Sequence, residues 1–131
     1  MSWTFRHSLA LCWLLSTLAV AGYVLLKSSP SADDLFFLPT ALASWLNVNY
    51  DLRTLLMALG VALPPALLLS PNPWRWQRRG MMSVVLALLI GGEVAQLTIA
   101  TRGFGWPDIG YTVLGIVICE ATASMVGWYS E

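Results

Sequence analysis

Four apolar stretches, each close to the roughly 20 residues a helix needs to cross a bilayer, leave this chain few ways to fold. They cover about 8–26, 54–69, 81–99 and 108–128. Lipid offers the backbone no hydrogen bonds, so segments of this length must satisfy their own N–H and C=O groups as helices. The expectation is an all-α fold: a polytopic membrane protein built as a four-transmembrane-helix bundle, one domain over 1–131. Composition agrees, since 57% of the 131 residues are hydrophobic and 11% are charged, against about 25% charged in ordinary soluble domains. Six of the seven Trp (Trp3, Trp45, Trp74, Trp76, Trp106 and Trp128) fall at or near the ends of apolar runs, where an interfacial belt places them. Trp13 alone sits well inside one.

Local signals refine this frame. The first run has a rival reading as a cleaved signal, with Arg6 before it and Ala19-Val20-Ala21 as a cleavage box, but its apolar character continues past that cut through Leu26. Pro64-Pro65 should kink the second span. In the first loop, Pro39 can open a short interfacial helix with Leu38, Leu42, Trp45 and Leu46 on one face; an ordinary packed loop is the alternative. Cys12 and Cys119 lie in different apolar runs, which disfavours a disulfide and makes no metal site. Net charge is zero and no basic run is present, so nothing suggests nucleic acid. No metal or other cofactor is expected. Arg75, Arg78 and Arg79 crowd the second loop, 71–80, and Arg6 precedes the first span. By the positive-inside rule both termini are then cytoplasmic.

Small residues recur every four positions in three spans: Ala58, Ala62 and Ala66; Ser83, Ala87, Gly91 and Ala95; Gly115, Cys119, Ala123 and Gly127. Such ridges let helix backbones approach closely in lipid, so each is expected to face a neighbour. Polar residues interrupt the same region. Glu93 and Gln96 share one face of the third span, opposite its small ridge. Asp108 and Thr112 share a face of the fourth, and Arg102 lies between. A carboxylate within a span costs roughly 2.5–3.5 kcal/mol on insertion scales, which marks a functional or partner-locked site. These five residues are therefore the candidate polar cluster. Arg102 either neutralises the two acids as a structural clamp or helps them grip a polar head group. Glu120 sits deep in the fourth span with no basic residue evident at its depth. It is read as protonated, as bonded to Thr122 or Ser124, or as meeting a partner protein.

The run Glu93-x-x-Gln96, Arg102, Asp108-x-x-x-Thr112-x-x-Gly115 resembles the VanZ-like family, small four-span bacterial membrane proteins named for a member associated with teicoplanin resistance. The family writes Asn where Thr112 stands, and often a histidine in the acidic stretch that Asp33-Asp34 would continue here. The resemblance implies a cell-envelope role in the bacterial inner membrane rather than a defined reaction. Two functions follow as expectations. One is binding or modification of a lipid or glycolipid head group at the outer face, with membrane lipids as partners. The other is service as a non-catalytic accessory subunit of a larger membrane complex. A carrier is disfavoured, because four spans are few and no inverted repeat is evident.

Overall fold

The computed structural model describes residues 2–26, 37–98 and 105–129. Among them are α1 (Trp3–Leu26), α2 (Thr40–Val48), α3 (Tyr50–Leu68), α4 (Arg75–Ala95) and α5 (Trp106–Tyr129), with short 3-10 turns at Asn72–Trp74 and Gln96–Thr98. Four helical segments are long and apolar enough to cross a membrane: Thr4–Tyr23, Tyr50–Leu68, Asn72–Thr98 and Trp106–Tyr129. Large apolar side chains face outward along them, among them Leu15 (60% exposed), Val84 (56%) and Val117 (57%). Water would not tolerate so much open apolar surface, whereas acyl chains solvate it readily. The protein is a multi-pass membrane protein with an all-α, four-span bundle.

α3 is the central helix and packs on α1, α4 and most extensively α5. α1 runs antiparallel to it, since Arg6 meets Leu68 while Trp13 meets Gly60. α5 runs parallel to it, with Gly115 beside Ala58 and Gly127 beside Ser70. The sequence explains that closeness. Ala58, Ala62 and Ala66 on α3 and Cys119 and Ala123 on α5 are all fully buried, so two small-residue ridges meet and bring the backbones together. A Cβ on Gly115 would stand 2.7 Å from that of Ala58.

The third ridge does not behave this way. Ser83, Ala87, Gly91 and Ala95 are exposed, and a Cβ on Gly91 would meet nothing within 4 Å. The inward stripe of α4 is instead Arg78, Met82, Val85, Leu89 and Glu93, continued by Gln96. Both stripes were visible in the sequence, but the small ridge, expected to face a neighbour, is the one that faces outward. Lipid and bundle interior are equally apolar, so small residues alone do not say which side is inward; polar ones do, because they avoid lipid.

α3 continues as one helix through Pro64 and Pro65. Pro64 has no N–H for the carbonyl of Gly60, four residues back. The Trp13 indole N–H from α1 donates to that carbonyl at 3.2 Å. The one Trp deep in a span thus serves a backbone acceptor that a proline released. The second connection is shorter than expected, because α4 already begins at Arg75 and takes Arg78 and Arg79 into its first turns. α2 forms where Pro39 suggested, with Pro39 as its N-cap and Ala43 turned inward. Leu42 and Trp45 remain exposed, at 41% and 43%.

Candidate functional site

The bundle has two chemically different ends. At one, the start of α3, the end of α4 and the start of α5 gather hydroxyls, an amide and two carboxylates. At the other, arginines converge on Glu120.

At the first end, Asp108 lies in the first turn of α5, where the helix dipole favours an acid. Thr54 of α3 reaches it, with the hydroxyl 3.1 Å from Asp108 Oδ1 and 3.3 Å from the Tyr50 carbonyl oxygen, either of which accepts its proton. The Thr112 hydroxyl donates back to the Asp108 carbonyl at 2.8 Å and is wholly buried. Gly105 makes room for the carboxylate, since a Cβ there would stand 3.2 Å from Asp108 Oδ2. Asp108 itself remains half-buried. Glu93 and Gln96 are buried on the inward stripe of α4, at 4% and 7% exposure. The structure therefore unites Asp108 and Thr112 with Thr54, which the sequence did not single out, and turns Glu93 and Gln96 into the interior. Arg102, Asp33 and Asp34 lie outside the described residues. Thr54 had one legible signal, a hydroxyl on the same face as Ala58 and Ala62.

At the opposite end, Arg78 is 2% exposed and holds three helices at once. Its Nε donates to Glu120 Oε2 at 2.9 Å and one Nη donates to Glu120 Oε1 at 3.0 Å, a bidentate pair. That Nη also donates to Ser124 Oγ at 3.0 Å. The other Nη donates to the carbonyls of Leu69 and Ser70 at 3.1 and 3.0 Å. An arginine has five N–H donors, and here every one is used. The Leu69 and Ser70 carbonyls follow the end of α3, where acceptors lack intrahelical partners and a cation complements the dipole. Arg79 adds a bond from Nε to Glu120 Oε1 at 3.2 Å.

Glu120 thus has basic partners within the chain, contrary to the sequence expectation, although Ser124 is among its bonds as anticipated. The reason is that 71–80 is not all loop: α4 begins at Arg75 and carries Arg78 into the bundle. The signal that could have found the pair is depth. Arg78 lies 15 residues before Glu93, and Glu120 lies 12 after Asp108; at about 1.5 Å per residue the two descend similar distances on antiparallel helices. His7 is half-buried and meets the Trp74 ring edge-on at 5.3 Å. Arg6 lies over that same ring, 5.3 Å from its centroid.

Among the described residues, no group of three or more His, Cys, Asp or Glu side chains could hold a metal ion. Neither a family model, nor a curated protein, nor a solved structure matches this chain.

Proposed function

We propose that this chain is a VanZ-like protein of the bacterial inner membrane that binds or modifies the polar head group of a lipid or glycolipid at the outer face. The observation that carries this reading is the buried placement of Glu93 and Gln96 at the same end as a half-accessible Asp108 braced by Thr54. Carboxylates and an amide can accept hydrogen bonds from sugar hydroxyls or an ammonium, and a carboxylate can relay a proton. Arg102 would supply the complementary cation for a phosphate. Orientation rests on Arg6, Arg75, Arg78 and Arg79, four basic residues at the opposite end, which the positive-inside rule assigns to the cytoplasm with both termini.

The test uses variants that keep shape and remove charge. Glu93→Gln and Asp108→Asn should reach the membrane at near-normal abundance yet lose the envelope phenotype of a deletion strain or the glycolipid that co-purifies with the wild type. The triple replacement Glu93→Gln, Arg102→Met, Asp108→Asn should fold, because removing all members of a charge cluster is often nearly neutral. A fully active triple variant would sink the head-group reading and leave Arg102 as a clamp.

An accessory-subunit role is the second reading. Two sequence features suggest it, Glu120 without an internal partner and small ridges on more than one span; the first does not hold, since Arg78 and Arg79 pair Glu120. The second does: the small ridge of α4 faces outward, the kind of surface on which another membrane helix packs closely. Purification in mild detergent separates the two readings by whether the chain runs alone or in fixed stoichiometry with another protein.

A further inference from the structure

A second feature lies outside the polar cluster, at the arginine-rich end. Between α4 and α5 runs an open groove of about 510 Å³, walled by Met82, Leu86, Ile116 and Val117 and closed at one end by Arg79 and Glu120. The small Ser83 forms part of its α4 wall, so this surface is indented where a leucine would fill it. From Arg79 to Leu86 the apolar wall extends about 10 Å along the helix, at about 1.5 Å per residue.

The polar mouth has spare capacity. Arg78 has spent all its donors within the protein, so it neutralises Glu120 without reaching the groove's outer edge. Arg79 is different. It is 53% exposed and gives the protein one side-chain hydrogen bond, from Nε to Glu120 at 3.2 Å. Its remaining N–H donors have no acceptor among the described residues. Its guanidinium lies 5.6 Å from the centre of the Trp76 ring, a side chain of the type that favours head-group depth. Arg75 stacks on the same ring at 5.6 Å. With Glu120 already matched by Arg78, the mouth of the groove carries net positive charge above an apolar channel.

We infer that this groove holds one anionic phospholipid of the leaflet at the arginine-rich end, its phosphate on Arg79 and one acyl chain along Met82, Leu86, Ile116 and Val117. Charge complementarity selects this occupant. A planar guanidinium with unused donors matches phosphate oxygens, and the channel below has the polarity of an acyl chain. The inference is independent of the head-group reading, which concerns the other end of the bundle.

The experiment reconstitutes the full chain in phosphatidylcholine vesicles with or without phosphatidylglycerol, extracts it gently, and counts retained lipids by native mass spectrometry. The wild type should retain one phosphatidylglycerol in preference to phosphatidylcholine. Arg79→Gln should weaken that retention about fivefold, the size expected for one basic residue at a membrane surface. It should keep the wild-type melting temperature within a few degrees, because Arg78 still pairs Glu120. Ser83→Trp, which fills the indentation from outside, should release the lipid whatever its head group. Arg75→Gln removes a neighbouring charge that does not line the groove and should change retention little. Equal retention by wild type and Arg79→Gln would overturn the inference, as would equal losses from Arg75→Gln and Arg79→Gln, which would indicate a diffuse surface charge. A disulfide-linked pair formed rapidly by Ser83→Cys in membranes would also overturn it, by showing that a second copy occupies the groove.

Discussion

Arg78 shows how much one side chain can decide in a membrane bundle. It joins the end of α3 to α5 from its place on α4, and each of its N–H groups has an acceptor. Arg78→Ala would leave Glu120 with Arg79 as its remaining cation and strand the two carbonyls at the end of α3, at a cost of about 3 kcal/mol, the lower end for broken buried pairs, because Glu120 is partly exposed. Thermal unfolding in detergent should show a large fall in midpoint, and adding Glu120→Gln should recover part of it. Arg78→Lys should not rescue, because three rotatable donors cannot reproduce a planar fork that serves a carboxylate, a hydroxyl and two carbonyls. Trp13 acts on the same scale. Trp13→Phe should lose about 0.5–1.5 kcal/mol, the net worth of an ordinary hydrogen bond. In a Pro64→Ala background, where residue 64 again offers an N–H to the Gly60 carbonyl, the same change should cost less. Additive losses in that double-mutant cycle would rule out the proposed link between Trp13 and Pro64.

Among elements, α4 and α5 carry similar small-residue spacing and opposite consequences. Gly115→Leu should destabilise the bundle by several kcal/mol, since even a Cβ would crowd Ala58 and overpacking by a few methylenes already costs about 1–3 kcal/mol. Gly127 is equally confined, against the Ser70 carbonyl. Gly91→Leu should leave the isolated chain as stable as the wild type, because nothing stands near that position. Comparing the melting of Gly91→Leu and Gly115→Leu in detergent checks the inward and outward assignment directly. Should Gly91→Leu fold normally but fail in the cell, the outward ridge has a partner there.

For the whole molecule, the sharpest consequence is polarity from end to end. Ser44, in α2, and Asn72, between α3 and α4, lie toward opposite ends of the bundle. In a background carrying Cys12→Ser and Cys119→Ala, single cysteines at these positions should label from opposite sides of the membrane. A membrane-impermeant maleimide applied to intact cells should reach position 44 and not position 72. The reverse pattern would turn the Glu93 and Asp108 end toward the cytoplasm and remove the outer-leaflet reading.

The number of spans, their helical nature, the short helix after Pro39 and the α3–α5 ridges were legible in the sequence, because each depends on local composition: apolar length, a proline, and small residues at fixed spacing. The grouping of Asp108 with Thr112 was legible for the same reason, being a matter of helical period. Which side of α4 faces inward could not be read from its small residues, and the tertiary structure settled it in favour of the stripe that carries Glu93 and Gln96. In water, burial follows hydrophobicity, but here both sides of a helix meet apolar surroundings, and the usual signal vanishes. Thr54 bracing Asp108, Trp13 serving the carbonyl freed by Pro64, and Arg78 meeting Glu120 likewise depend on which helices stand side by side and at what depth. A sequence states the donors and acceptors that must be matched; only the packed bundle shows how they are paired.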